Sequence, residues 1–397
     1  MISGKKIMLG VSGSIAAYKA LDILRRLQEE GASVRVAMTK NAAHFVSPMT
    51  FLTLSRHPVL WDEFRDSGRS DIGHIAITEG LDLAVIAPAT ANVIGKLAAG
   101  IADDALTSAL LALECPLVIA PAMNDRMYRN PVVQRNIGFL REQGVRFVDP
   151  EEGPLACGAI GQGRLAETER IVQEVASALS PRSLAGVTVL ITAGPTREPI
   201  DAVRFISNPS TGRMGFALAE AARNRGADVI LISGPTELTP PWGVSHVSVT
   251  TAAEMRRAVM DSAGKARVVI MAAAVSDFRS AERSEGKIKK ESAPEVLRLE
   301  RTEDILLELG RTPGKRLLVG FAAETDSVIQ NARQKLKQKN LDMIVVNDIT
   351  RQGAGFGTDT NAVTVLDRSG AVTDLPLMKK SEVAARILDN VAELLQK

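Results

Sequence analysis

Short apolar runs alternate along the whole chain with longer stretches whose apolar residues recur at helical spacing. That alternation is the pattern of doubly wound parallel sheets, whose strands are covered on both faces. In the first half, KKIMLGVSG, SVRVAMT, LDLAVIAPAT and PLVIAPAM predict strands, and SIAAYKALDILRRLQEEG predicts a helix that stops at Gly31. Near ASALSPRSLAGVTVLITAG the pattern restarts: a helix closes, Pro181 and Gly186 punctuate, and a fresh buried strand begins. The second half predicts strands at VTVLITAG, DVILISG, ARVVIMAAAVSD, KRLLVGFAAET and LDMIVVND, with helices at TGRMGFALAEAARNRG, TAAEMRRAVMDSAG and along a stretch ending at Asn340. RQGAGFGTDTNAVTVLD reads mainly as a loop before the last strand. The expected fold class is α/β, two doubly wound Rossmann-like domains at residues 1–181 and 182–397, without a fixed-period repeat.

Composition narrows the setting. A chain of 397 residues exceeds one ordinary core. Its 45% apolar and 24% charged residues are those of a globular protein, and a net charge of +2 gives no whole-chain attraction to nucleic acid or an anionic membrane. Two cysteines make no disulfide framework and point to a reducing compartment, so the cytoplasm is expected. Four histidines without Cys/His spacing argue against structural zinc. The apolar part of MISGKKIMLGVSG is too short for a signal peptide, and no run reaches the roughly 18 apolar residues of a membrane span.

Candidate chemistry in the first half gathers where strands end. GVSGSIAAYK puts Gly10, Ser12, Gly13 and Ser14 between a strand and a helix, where backbone N–H groups and the helix dipole favour a phosphate; a serine-capped turn accounts for it equally well. Thr39, Thr90 and Asn92 follow later strand ends, along the edge where open α/β sheets bind ligands. His74 precedes an apolar run, the usual setting of a structural histidine, and Asn124 follows a buried strand, the usual setting of a cap. Cys157 stands apart from Cys115, which lies in an apolar run: it is followed by Gly158, Gly161 and Gly163, so a mobile backbone and a thiol near the surface are expected.

SGSIAAYK, GHI, APATAN, PAMNDRM and the ACG loop together resemble the flavin-dependent decarboxylases of 4'-phosphopantothenoylcysteine, over nearly the whole first half. Where that family commonly has tryptophan after PAMNxxM, this chain has Tyr128. The resemblance implies a flavodoxin-like domain that binds FMN through Gly13, Ser14, Ile15, Thr39, Thr90 and Asn92. It also implies His74 as base, Asn124 as carboxylate binder and Cys157 as proton donor on a mobile flap. Direct loss of CO2 from a cysteine Cα leaves a carbanion with no electron sink. Oxidising CH2–SH to a thioaldehyde makes the carboxylate β to C=S, so its electrons can delocalise onto sulfur.

In the second half, DAVRFISNPSTGRMG places Asn208, Ser210, Thr211 and Gly212 just before an amphipathic helix, which suits an N-cap and a phosphate site equally. Asp277 ends a buried strand, and Lys287, Lys289 and Lys290 follow on a polar stretch that by itself reads as solvated surface. Lys335 and Lys339 are four apart on a predicted helix, hence on one face. No Walker A motif is present.

TAGPTREPIDAVRFISNPSTGRMG, AAAVSDF, GKIKK, VGFAAET and ARQKLKQKNLDMIVVND resemble bacterial phosphopantothenate-cysteine ligase from end to end. That resemblance implies activation of a carboxylate by CTP as an acyl-cytidylate, followed by displacement of CMP by the cysteine amine. Matched by motif, Asp277, Lys287, Phe321, Lys335 and Lys339 contact CTP, Asn208 serves the acyl-cytidylate step, and Ser210, Thr211 and Gly212 take phosphopantothenate. Mg2+ comes with the triphosphate, and Asp277 is the candidate ligand. The expected whole is a bifunctional enzyme of coenzyme A biosynthesis acting on small molecules, a homo-oligomer extending to a dodecamer, with no nucleic-acid or membrane partner. A regulatory flavin-binding module has no need of His74, Asn124 and Cys157 together, and a flavin prenyltransferase has no use for the ACG loop or a ligase half.

Overall fold

The computed structural model describes residues 2–62, 73–154, 158, 160–289, 296–324, 328–348 and 357–396. The chain divides into two compact units, Met1–Ser180 and Pro181–Lys397.

The first unit is built on a parallel sheet of six strands in the spatial order Val59–Leu60, Ser33–Met38, Lys6–Val11, Leu83–Ala89, Leu117–Pro121 and Arg146–Phe147. Numbered by sequence this is 3-2-1-4-5-6, the Rossmann order. Without the two-residue edge strand it is the flavodoxin-like 2-1-3-4-5. The alternation of side chains along each strand divides the apolar residues between two cores. Ile7, Leu9 and Val11 pack with Ile23, Leu24, Leu27 and Val175 of the helices Lys19–Glu29 and Thr168–Leu179. Met8, Ala84 and Ile86 pack on the opposite face with Val93, Leu106 and Ile137 of Ala91–Ala99, Ala105–Leu111 and Pro131–Glu142. The first helix stops where expected, because Gly31 adopts φ +89°.

The second unit repeats the order over six parallel strands and extends it. Ser245–Ser248, Asp228–Ser233, Thr188–Ala193, Val268–Met271, Leu317–Glu324 and Met343–Asp348 run parallel. Thr360–Asp367 and Val372–Lys379 then continue the sheet antiparallel. The stretch expected to be mainly a loop thus contains an eight-residue strand, Thr360–Asp367, buried at Ala362, Val363, Val365 and Leu366. Val363 and Val365 join one core of the unit and Leu366 the other, and residues 351–356 of the same stretch lie outside the described residues.

Both units therefore have a topological switch point, between their first and fourth strands. Carbonyl ends of neighbouring strands diverge there, and the loops that follow them leave a crevice.

Candidate active sites

In the first unit the switch point is stitched by Ser12. Its Oγ donates to the Pro88 carbonyl at 2.8 Å and accepts from the Thr90 N–H at 2.9 Å. Pro88 brings no N–H to the ladder, and the pairing of its strand with Leu117–Pro121 is irregular between Ile86 and Ala89. A cleft of about 590 Å³ opens at this edge, lined among others by Gly13, Ser14, Thr39, Thr90 and Asn92. A Cβ on Gly13 would lie 2.6 Å from the Asn41 Cβ, so only glycine lets the turn pass there. The hydroxyls act as caps: Ser14 accepts from Ala16 N–H at 3.2 Å, Thr39 from Ala42 N–H at 3.2 Å, and Thr90 from Val93 N–H at 3.5 Å. Capping and ligand binding are compatible, because the nine-residue helix Ala91–Ala99 starts at the cleft and brings its positive end with it. Lys96 also lines the cleft but is already paired with Asp103 at 2.6 Å and Asp104 at 3.2 Å. Its hydrogen bond to Asp103 is the main reason that its pKa is raised.

Ile15 heads the short helix Ile15–Tyr18, is 61% exposed, and is not part of the cleft lining. His74 is half-buried in the helix Gly73–Thr78 and likewise stands outside the lining. Asn124 caps Asp125–Tyr128, its Oδ1 accepting from Arg126 N–H at 2.9 Å, while its neighbour Met123 is on the cleft wall. Tyr128 is buried, and its hydroxyl donates to Asp149 at 3.3 Å. Cys157 lies outside the described residues.

The hairpin Glu151–Pro154 with Ile160–Arg164 leads into and out of the Cys157 loop, and it gives two of the glycines a reason other than mobility. A Cβ on Gly163 would lie 2.1 Å from the Met123 carbonyl oxygen, and one on Gly161 would lie 2.8 Å from the Asp125 Cβ. Met123 N–H also donates to the Gly163 carbonyl at 3.0 Å. These glycines press the strand Ile160–Arg164 against Met123–Asp125, so the strand that follows the Cys157 loop runs beside Asn124. Gly158, at φ +82° with open space around it, is where backbone freedom matters.

In the second unit the loop after Ser207 and the helix Arg213–Asn224 form the floor of a cavity of about 480 Å³. Asn208 Nδ2 donates to the Ala274 and Val275 carbonyls, both at 3.2 Å, which fixes the orientation of its amide. Ser210 Oγ accepts from Gly212 N–H at 3.3 Å, and the Thr211 carbonyl accepts from Thr236 Oγ1 at 3.0 Å. Gly212 has φ +81°, and a Cβ on Gly215 would lie 2.5 Å from the Ala193 Cβ, so the helix N-terminus sits directly on the end of the first strand. Asn208, Ser210, Thr211 and Gly212 line the cavity together with Asp277, Phe321, Lys335 and Lys339. The helix carrying the lysines is Val328–Gln338, and Lys339 N–H still donates to the Lys335 carbonyl at 2.9 Å, so the two share a face. Asp304, the cap of Ile305–Arg311, holds Lys339 at 2.8 Å. Lys287 is exposed and is not among the lining residues.

Several polar side chains of the lining were not singled out from sequence: Arg213, Thr302, Glu303 and Asp304, and, from farther along the chain, Asn347, Asn361 and Lys380. Asn347 Oδ1 is buried without a hydrogen-bond partner among the described residues. Lys380 begins the last helix, Lys380–Gln396, and is 7% exposed. Burial, then the nearby Arg213 charge, pushes its pKa down. A cation at the positive end of a helix is unfavourable, and that is the one signal in LMKKSEVAARIL that could have marked it. Among the described residues no three His, Cys, Asp or Glu side chains gather to hold a metal, and no helix is long and apolar enough to cross a membrane.

Two Rossmann-ordered units, one with a cleft of hydroxyls, amides and helix ends and the other with a cavity lined in part by lysines, make a protein with two small-molecule-sized sites, each at a sheet's switch edge. A family model described as Flavoprotein matches residues 1–180, and one described as DNA/pantothenate metabolism flavoprotein C-terminal domain matches residues 184–395. The chain is 50% identical to the coenzyme A biosynthesis bifunctional protein CoaBC of Bacillus subtilis (strain 168), over 99% of this chain and 98% of that one. The protein of the same name from Vibrio cholerae serotype O1 is 43% identical over 99% of each chain. A cysteine/cysteine sulfinic acid decarboxylase from an unknown prokaryotic organism is 47% identical over 88% of this chain and 99% of its own. The chain belongs to the family of bifunctional coenzyme A biosynthesis proteins, enzymes that combine a decarboxylase with a ligase.

Proposed function

We propose that the second unit joins 4'-phosphopantothenate to cysteine through an acyl-cytidylate made from CTP, and that the first decarboxylates the product to 4'-phosphopantetheine with FMN. The observation that carries this reading is the second cavity, where Asn208, Asp277, Lys335 and Lys339 meet the N-terminal end of Arg213–Asn224. A triphosphate and a departing pyrophosphate need such cations and N–H groups, since negative charge grows on the leaving oxygens. Mg2+ enters with the triphosphate, and Asp277, exposed on the cavity wall, is its protein ligand in this proposal. Ser210, Thr211 and Gly212 receive the 4'-phosphopantothenate, and Asn208, its amide tied to the Ala274 and Val275 carbonyls, serves the acyl-cytidylate step.

The first cleft fits FMN on its own geometry. Gly13 lets the turn pack against Asn41 at the cleft, and Ser14, Thr39, Thr90 and Asn92 offer hydroxyls and an amide around the Ala91–Ala99 helix end. Held by these residues, FMN would supply two-electron redox chemistry for the cysteine-derived CH2–SH group. In this proposal His74 takes the proton, Asn124 holds the carboxylate, and Cys157 donates a proton at carbon. A cytoplasmic location and assembly into a homo-oligomer complete the reading.

Mass spectrometry of the products tests it, with purified protein given 4'-phosphopantothenate, cysteine, CTP, Mg2+ and FMN. Formation of 4'-phosphopantetheine is the expected result. Accumulation of 4'-phosphopantothenoylcysteine alone would leave the ligase and overturn the decarboxylase. Cys157→Ser is expected to release CO2 yet stall at an oxidised ene-thiol, and normal product at the normal rate would remove Cys157 from the mechanism.

A further inference from the structure

Of the five residues matched to CTP contacts, Lys287 alone does not line the second cavity, and the strap that carries it is tied down by a carboxylate with no assigned role. The strap leaves the cavity wall at Asp277 and returns at Thr302. Thr302 N–H donates to the Asp277 carbonyl at 3.0 Å, its Oγ1 donates to the Ser276 carbonyl at 2.6 Å, and Phe278–Ser280 pairs antiparallel with Leu299–Arg301. A second arm, Arg197–Pro199 paired antiparallel with Phe205–Ser207, runs directly into Asn208.

Asp201 lies in the turn of that second arm, 3% exposed. Its Oδ1 accepts from Val203 N–H at 2.8 Å and Arg204 N–H at 2.7 Å, which closes the turn. Its Oδ2 accepts from Arg204 Nη1 at 3.0 Å and, across 87 residues of sequence, from the strap's Ile288 N–H at 3.2 Å. Ser284 N–H donates to the Ile200 carbonyl at 3.0 Å beside it. One carboxylate oxygen thus shapes the arm and the other grips the strap, next to the lysine.

We propose that Asp201 is a positioning residue for the ligation: it pins the strap at Ile288 and so holds Lys287 beside the arm that ends in Asn208. A lysine on an exposed segment has many rotamers and backbone positions, and fixing its backbone removes part of the entropy cost of reaching the reacting phosphate. The inference rests on the proposed role of Lys287 in the ligase reaction.

Asp201→Asn keeps an oxygen for the Val203 and Arg204 N–H groups but replaces Oδ2 with an NH2 that can accept neither from Ile288 N–H nor from Arg204 Nη1. Ile288→Pro removes the strap bond alone and is measured beside it. Ligase turnover is measured for Asp201→Asn, Lys287→Met and the double variant of the full chain, with decarboxylation of supplied 4'-phosphopantothenoylcysteine as the control. The expected result is a ligase kcat lowered roughly tenfold or more by each single change, since small misplacements at a reacting centre carry costs of that order. Asp201→Asn is then expected to add nothing in the Lys287→Met background, while decarboxylation is unchanged. Multiplicative effects of the two changes, or wild-type ligation by Asp201→Asn, would overturn the proposal. Wild-type ligation by Lys287→Met would instead overturn the assignment of Lys287. If Asp201→Asn fails to fold, Ile288→Pro deletes the same hydrogen bond from the strap side and is expected to show the same dependence on Lys287.

Discussion

The two units share a strand order and the edge at which their crevices open, yet the crevices draw their charged side chains from different parts of the fold. In the first unit the polar groups come from loops and helix starts close to the sheet strands, and the lining lysines Lys40 and Lys96 are paired with Asp62 and with Asp103 and Asp104. In the second, Arg213 stands at the start of its own helix, and three more cations come from further along the chain: Lys335 and Lys339 from the helix between the last parallel strands, with Lys339 paired to Asp304, and Lys380 from beyond the antiparallel extension. A strand-end loop can cradle one phosphate with N–H groups and hydroxyls. The triphosphate proposed for the second cavity carries more charge, and neutralising it takes more cations. The antiparallel pair Thr360–Asp367 and Val372–Lys379 reaches the cavity lining, since it carries Asn361 and leads into Lys380.

The comparison breaks most visibly at Asn208. Asn208→Ala is expected to lower ligation about 10²-fold, the cost of a small misplacement at a reacting centre, because it removes the amide that ties this loop to the Ala274 and Val275 carbonyls. Decarboxylation of supplied 4'-phosphopantothenoylcysteine is expected to continue, and mass spectrometry of both half-reactions shows whether the sites are separable. A parallel test in the first unit is Gly163→Ala, whose Cβ would collide with the Met123 carbonyl. It is expected to destabilise that unit by about 1–3 kcal/mol, as overpacking does. With one tryptophan in each unit, Trp61 and Trp242, single-tryptophan versions report the two melts separately, and only the Trp61 signal is expected to move.

Smaller effects sharpen the contrast. Lys380→Met is expected to raise the KM for CTP roughly tenfold, equivalent to about 1.4 kcal/mol and typical of one charge-assisted contact, without changing decarboxylation. Steady-state kinetics with CTP varied decides it. The smallest is a pH effect common to both units. Asp82 is held below the ordinary carboxylate pKa first by its hydrogen bond from Lys5, and Asp201 first by the Val203 N–H and then by the Arg204 and Ile288 N–H groups. Each contributes stability that is complete above the unfolded value near 3.9 and is lost as pH falls through the depressed native value. Both melts are expected to be flat between about pH 7 and 5 and to drop below about pH 4, and Asp201→Asn is expected to flatten the acid limb of the Trp242 melt alone.

Much of the scaffold was legible because it rests on local periodicity. KKIMLGVSG, VTVLITAG and LDMIVVND form strands where their apolar runs predict them, and TAAEMRRAVMDSAG forms Ala252–Ala263, with Thr251 and Glu254 making the capping box. The antiparallel strand at Thr360 was harder to see because its glycine-rich approach, RQGAGFG, outweighs the following NAVTVLD in a local reading. The cavity-facing role of Lys380 had only its awkward place at a helix start to announce it. Gly161 and Gly163 illustrate the opposite error: glycine in sequence suggests freedom, but here the space is filled by Met123 and Asp125.

By itself the sequence determined two α/β units, the strand ends where polar loops gather, and the motifs that mark a decarboxylase and a ligase, because these depend on residue type and short-range spacing. Tertiary structure alone decided which distant residues share a cavity. It brought Asn361 and Lys380 to Asn208, left Lys287 on an outer strap, and joined that strap to Asp201. Such pairings arise from how sheet edges and crossovers bring together segments tens to hundreds of residues apart, and no local pattern in the chain encodes that distance.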